Sequence, residues 1–274
     1  MNWRVVSAAA IGTSHRTNGS DCQDDCWAMV EQLGDERVLT IFVADGAGSA
    51  RHGRDGATTA VQSAARFVAE AFASEAPVLT TERAPALARD CVQAVRSAIL
   101  EVASTRRDAG AAGELDAVNE ADKKSLGARD FACTFLGAIS TSQATLVFQI
   151  GDGAIVLDTG NGLELFTAPM TGEYANMTHF VTQDDCLEVM VHKLYAGSAL
   201  KLAAFSDGLQ RLALNMSQGT PHEPFFEPFF TVLAKATAEQ EDLLQTQLAA
   251  FLDSAPVNER TDDDKSLALA VRCE

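Results

Sequence analysis

Three apolar runs in this chain stop at an aspartate followed by glycine, and that punctuation limits what the chain can fold into. Val38-Leu39-Thr40-Ile41-Phe42-Val43-Ala44 stops at Asp45-Gly46. Leu146-Val147-Phe148-Gln149-Ile150-Gly151 stops at Asp152-Gly153, and Leu202-Ala203-Ala204-Phe205-Ser206 stops at Asp207-Gly208. A run of this kind reads as a buried strand. Its terminal acid is then either a turn former or a group aimed into a site. Two more acidic groups share the setting. Asp262-Asp263-Asp264 precede the last apolar run, and Gln23-Asp24-Asp25 precede a short one at Cys26 to Val30.

The runs between these points have two different periods. Val5 to Ile11, Cys26 to Val30 and Val38 to Ala44 read as strands. Val61, Ala64, Val68 and Phe72 then recur at helical spacing, as do Leu87, Cys91, Val95, Ala98 and Val102, which predicts two long helices broken near Pro77 and Pro85. Residues 105 to 127 read as a polar loop. Phe131 to Ile139, Thr145 to Ile150, Ala154 to Asp158 and Leu163 to Thr167 read as an antiparallel meander with Gly-containing turns. Residues 169 to 184 read as irregular. Two strands (Cys186 to Leu194, Leu200 to Phe205), three helices (Asp207 to Leu214, Pro224 to Ala236, Ala238 to Leu252) and a last strand (Ser266 to Val271) follow. Segregated runs of strands and helices predict an α+β fold, with helices covering antiparallel sheets. Without repeats or low-complexity linkers, residues 1–274 read as one domain.

The net charge of −17 repels nucleic acid and anionic membrane, which excludes both as expected partners. No apolar run approaches the roughly 20 residues that span a bilayer. Met1-Asn2-Trp3-Arg4 lacks a signal-peptide layout. Cys22 and Cys26 have no second Cys/His pair at zinc-finger spacing. Cys91, Cys133 and Cys273 lie in apolar segments as small core residues. Together these predict a cytoplasmic protein with reduced thiols. Trp3 and Trp27 read as core.

Carboxylates at the ends of neighbouring strands can converge, and like charges at close range need a cation. Oxygen ligands from Asp, backbone carbonyls and water suit Mg²⁺ or Mn²⁺. Asp-Gly is equally a common turn dipeptide, and the residue pattern alone leaves both readings open.

Taken in order, "SHRTNGSDCQDDCWA", "IFVADGAGSARHGRDGA", "FACTFLGAI", "VFQIGDGAIVL", "AFSDGLQRL" and "DDDKSLALAV" resemble the metal-dependent protein phosphatase family, type 2C, over essentially the whole chain. The resemblance implies a four-layer α/β/β/α sandwich, two antiparallel sheets flanked by helix pairs. It implies a binuclear Mn²⁺ or Mg²⁺ centre whose water hydrolyses phosphoserine and phosphothreonine in proteins. It also implies a monomer whose phosphoprotein substrates are supplied by a serine/threonine kinase.

Residue by residue, Asp45 matches the acid that bridges both metals, and Gly46 the glycine that adds a carbonyl ligand. Asp207 matches a ligand of the first metal. Asp263 matches the last metal-binding Asp, with Asp262 or Asp264 as one-residue offsets. Asp24 holds the second metal, directly or through water. Asp45, Asp207 and Asp263 are thus the catalytic set, acting through the water the metals hold. Asp152 matches either an acid that some relatives use for a third, weaker ion, or a tight-turn residue.

Two departures stand out. Many relatives carry a phosphate-gripping Arg four residues before the Gln-Asp pair, where this chain has Gly19. Arg16 and His15 just upstream are the candidate replacements, or else exposed loop residues. Some relatives place a proton-donating His after Asp-Gly, where this chain has Ala47. Arg51 and His52 lie near the cleft in sequence, or are surface groups before a helix. His179 is a weak candidate for a substrate loop, and His192 and His222 carry no expected chemistry. Gly19 leaves room for a silent phosphoprotein-binding relative, and a hydrolase of small phosphoesters is the other alternative.

Overall fold

The computed structural model describes residues 2–73, 77–111, 126–166 and 178–273. In chain order the first elements are β1 (Asn2–Ala10), α1 (Thr13–Asn18), β2 (Asp24–Leu33), β3 (Glu36–Asp45), α2 (Gly53–Ala71) and α3 (Ala84–Ala111). Then come β4 (Phe135–Ser140), β5 (Ala144–Ile150), β6 (Ala154–Asp158), β7 (Glu164–Leu165), α4 (Cys186–Val189), β8 (Val191–Ala196) and β9 (Lys201–Phe205). The last part holds α5 (Gln210–Ala213), β10 (Leu214–Asn215), β11 (Thr220–Pro221), α6 (Glu223–Lys235), α7 (Glu241–Leu252), α8 (Ala255–Asn258) and β12 (Lys265–Cys273).

Two five-stranded sheets, in the orders β1-β12-β9-β6-β7 and β2-β3-β4-β5-β8, are antiparallel throughout. Alternate side chains of each strand face opposite ways, and the core divides along that alternation. On β3, Val38, Phe42 and Ala44 join the α2 and α3 residues Ala57, Ala60, Val61, Val92, Val95 and Ile99. Leu39, Ile41 and Val43 of the same strand face the other sheet, meeting Leu202, Ala204, Ala268 and Ala270. On β12, Leu267, Leu269 and Val271 turn outward to Phe226, Phe230, Leu233, Leu248 and Leu252 of α6 and α7. Three apolar spaces separate four layers, and the expected α/β/β/α sandwich is what forms. β3 and β9 read as unbroken apolar runs because both of their faces are covered.

Several boundaries differ from the expectation. α3 runs on to Ala111, past the expected loop start at 105, and residues 112–125 of that loop lie outside the described residues. Phe131 ends a short 3₁₀ turn (Ala128–Phe131), and β4 begins only at Phe135. Cys186–Val189 is a helical turn, with the strand starting at Val191, because a four-residue apolar stretch carries no usable period. The Leu163 to Thr167 strand shrinks to Glu164–Leu165. Asp207 to Leu214 is a 3₁₀ turn followed by α5 and the start of β10. Thr167 at the end of the expected Leu163 to Thr167 strand, and residues 169–177 of the expected irregular segment, lie outside the described residues. α1 was not expected, since its six residues lack an apolar face. Trp3 is buried while Trp27 is half-buried, and Cys273 is only half-buried. Among the described residues no helix is long and apolar enough to cross a membrane.

Candidate active site

The alternation that builds the core also aims the acids. Asp45 continues the series Leu39, Ile41, Val43, so its carboxylate points into the space between the sheets. Asp24 is its cross-strand partner in the β2–β3 register, and cross-strand partners share a face. It continues the series Cys26, Ala28, Val30, which packs against the inter-sheet core. Ser266 and Asp264 extend the inward series Ala268, Ala270 of β12 in the same way. One end of the inter-sheet space is therefore lined with acids and hydroxyls where its middle is aliphatic.

Asp45 is fixed from both sides by Thr134. Its N–H donates to Thr134 Oγ1 at 3.1 Å, and the Thr134 N–H donates to the Asp45 carbonyl at 2.8 Å. Gly46 has no room for a side chain, because a Cβ there would lie 2.5 Å from the carbonyl carbon of Gly53 at the start of α2. Its N–H donates to the Gln23 carbonyl at 3.0 Å. With its amide nitrogen turned toward them, Gln23 donates to the carbonyls of Gly46 at 3.1 Å and Ala47 at 3.3 Å. The Asp-Gly pair is not itself a turn: Asp45 ends β3, Gly46 bridges to Cys133, and the pair is packed under α2.

The electrostatics are those of anions crowded in a dry place. Burial, foremost, pushes the Asp24 carboxyl up to about 7, with Asp264 and Asp207 adding repulsion. Ser206 and Ser266 stand near enough to temper that shift, but neither Asp24 oxygen has a well-aligned hydrogen-bond partner. Asp45 is pushed well above the usual carboxylate range by burial, then by Asp24, Asp207, Asp263 and Asp152. Asp207 rises to about 6 through burial, then Asp152 and Asp263, with Asp45 as a compensating hydrogen-bond partner. Asp263 is raised as well, first by desolvation from the protein around its carboxyl although the residue as a whole remains exposed. Five of the acids singled out from the sequence thus act on one another across the fold.

Buried polar atoms without partners are rare and call for a ligand. Both oxygens of Asp24 and Oδ1 of Asp207 are such atoms. An all-oxygen set of mutually repelling carboxylates fits Mg²⁺ or Mn²⁺. Among the described residues no three His, Cys, Asp or Glu side chains are grouped closely enough to hold a metal ion by themselves.

A sequence model of the family described as protein phosphatase 2C matches residues 11–253. The chain belongs to the protein phosphatase 2C family. It is 46% identical to the serine/threonine-protein phosphatase 3 of Escherichia coli (strain K12), over 100% of both chains. A crystal structure of a bacterial serine phosphatase superposes with a TM-score of 0.61 at 14% identity, covering 100% of this chain and 99% of that one. The serine/threonine phosphatase Stp1 from Staphylococcus aureus superposes at 0.59 with 13% identity, covering 99% and 96%. At those identities the two structures speak for the fold alone.

The remaining candidates of this protein phosphatase 2C chain separate clearly. His15 Nδ1 lies 2.7 Å from Asp264 Oδ2. The Arg16 guanidinium donates to Asp253 at 2.8 Å instead, in an exposed pair. Asp152 accepts a hydrogen bond from the Thr178 hydroxyl, and its carbonyl accepts one from the Gln210 amide. His52 stacks on Phe131 with ring centroids 4.9 Å apart and is engaged by Arg106 and Asp55. Arg51 lies 3.8 Å from Asp130.

Asp264 was placed in the sequence only as an offset of Asp263. In this phosphatase it is a saturated anion, accepting the N–H groups of Gly12 and Gln23, each at 2.6 Å. With His15 added, no oxygen of Asp264 is left free, whereas Asp263 next to it is exposed. Thr134 and Ser206 also escaped the sequence reading. Each looked like an ordinary strand residue, and only the pairing of strands far apart in the chain gives it a role.

Proposed function

We propose that this protein phosphatase 2C chain hydrolyses phosphoserine and phosphothreonine in proteins with the help of two Mn²⁺ or Mg²⁺ ions. Asp45, the Gly46 carbonyl, Asp207, Asp263 and Asp24 would hold these ions, with Asp45 as the shared anion, and Asp152 would either take a third, weaker ion or serve as a turn residue. The orphaned oxygens of Asp24 and Asp207 beside the strained charge of Asp45 carry this reading. When bound, such ions make a water nucleophilic near neutral pH and offset charge on the phosphoryl oxygens.

The protein's own groups hold that arrangement in place. Thr134 locks the Asp45 backbone, Gln23 orients the Gly46 and Ala47 carbonyls, and Gly46 lets α2 close over the turn. His15 takes the substrate side of the site, while Arg16 would first have to leave Asp253. The serine/threonine class is supported by the name of the E. coli relative. The substrates are then products of a serine/threonine kinase, met in the cytoplasm by a single-domain monomer.

Chelated protein should be inert toward a phosphothreonine peptide and regain turnover on adding Mn²⁺. Turnover that survives exhaustive chelation, or fails to appear with either ion, overturns the reading.

A further inference from the structure

We propose that His15, held by Asp264, hands the proton to the departing serine or threonine oxygen. The inference rests on the phosphatase reading above. It begins with the wiring of Asp264, which is 2% exposed. Oδ1 accepts the Gly12 N–H at 2.6 Å, and Oδ2 accepts both the Gln23 N–H at 2.6 Å and His15 Nδ1 at 2.7 Å. An oxygen pair that already takes two backbone donors is an acceptor, so Nδ1 carries the proton. Nε2 is then the atom of the ring that exchanges protons, and it makes no protein hydrogen bond among the described residues. A carboxylate behind an imidazole fixes its tautomer and the orientation of its ring.

The ring is also in the right neighbourhood. The Asp264 oxygen that holds His15 holds the main chain of Gln23, the residue before Asp24. α1 cannot drift from the acidic loop. The N–H and Oγ of Ser14 donate to the Asp262 carbonyl at 3.0 and 2.7 Å, and a Cβ on Gly12 would lie 2.3 Å from the Asp263 carbonyl carbon. The charged groups around the ring are Asp264, Asp263 on the same loop, and Arg16 on α1, which Asp253 engages. Lys265 is turned to the Ile11 carbonyl and Asn258.

Around the site, Ala47 has no proton to give and Arg16 keeps its own at any working pH. His52 meets Arg106 and Asp55 through Nδ1 and stacks on Phe131, tied to α2 and α3 rather than to Asp264.

The step balances simply. A water oxygen bonds to phosphorus as the bond from phosphorus to the ester oxygen breaks, its electron pair going to that oxygen. The Nε2 proton moves to the same oxygen, releasing a neutral hydroxyl side chain and leaving neutral imidazole. The proton lost by the incoming water passes to solvent, and His15 takes one back for the next turnover. An alkoxide needs such a proton, whereas a nitrophenolate leaves without one.

The test compares a phosphothreonine peptide with p-nitrophenyl phosphate, using the Mn²⁺-loaded full chain, its His15→Gln variant and its Asp264→Asn variant. His15→Gln should lower kcat on the peptide by about 10²–10⁴-fold, with a loss on p-nitrophenyl phosphate at least about tenfold smaller. The Mn²⁺-induced rise in melting temperature should match the parent, showing an intact fold and metal site. In ¹⁵N-histidine NMR the parent should show a downfield Nδ1 proton that Asp264→Asn removes. Equal losses on both substrates, a change confined to KM, or a parent without that resonance overturns the inference alone. A parent inert on both substrates overturns the phosphatase reading and this step with it.

Discussion

Asp24 and Asp264 lie at the same end of the inter-sheet space and are almost equally buried, at 6% and 2% exposed. Asp264 accepts three hydrogen bonds, which satisfy its charge and tie α1 and the start of β2 to the start of β12. Asp24 has no aligned partner, and its carboxyl is pushed up to about 7 by burial first and by neighbouring acids after that. Burial therefore does not distinguish a structural acid from a functional one. What distinguishes them is whether the fold supplies donors. An anion given three donors is a bracket, and an anion given none is left for a group from outside to satisfy.

Asp45→Asn should break the comparison hardest. Asn keeps the shape and the backbone contacts with Thr134, but removes the charge proposed to hold the ions. Mn²⁺-dependent turnover should fall by orders of magnitude while the chelated protein melts no lower than the parent. Near-parental turnover at saturating Mn²⁺ would remove Asp45 from the site.

A matched pair of variants sharpens it next. Asp264→Ala strands three buried donors and should cost the chelated protein about 2–4 kcal/mol in urea unfolding. Asp24→Asn should cost nothing there, because it removes an unsatisfied buried charge, yet it should weaken Mn²⁺ binding. If the two variants destabilise equally, the distinction between bracket and ligand does not hold.

pH gives a third separation. The Asp24 and Asp207 carboxyls are raised to about 7 and about 6 in the fold, against about 3.9 in an unfolded chain. Their protonated forms are the ones the metal-free fold tolerates. Their contribution to its stability is thus complete below pH 4 and lost as pH rises through 6 to 7. Mn²⁺ must displace those protons, so its stabilisation should grow from pH 5.5 to 8. A Mn²⁺-induced shift in melting temperature that is flat across that range would contradict the raised values.

Arg16→Ala should have the smallest effect. Its pair with Asp253 is about half exposed on both sides, and such pairs contribute less than about 1 kcal/mol. Peptide kcat/KM should stay within about twofold of the parent. A tenfold rise in KM would return Arg16 to the phosphate and weaken the case for His15.

The acidic positions were legible early because a buried strand that ends in Asp-Gly is a local pattern. The four-layer arrangement was legible only through the resemblance to the family, since an unbroken apolar run such as β3 shows that both faces are covered but not by what. α1 and α4 escaped for lack of length, since a helical period needs more than one turn to show. α3 outran its expected end because Thr105, Arg107 and Asp108 are polar, and polarity reads as loop when a helix only exposes that side to water.

By itself the sequence determined which strands are buried and that an acid stands at the end of each, but not which face of the sheet that acid takes. Those are properties of near neighbours in the chain. Only the tertiary structure decided which acid is satisfied and which is not, and that His15 rather than Arg16 is held beside the cluster. Asp264 meets Gly12, His15 and Gln23 across more than 240 positions of chain. Hydrogen bonds at that separation depend on how β1, β2 and β12 come together, and no local pattern of residues encodes their geometry.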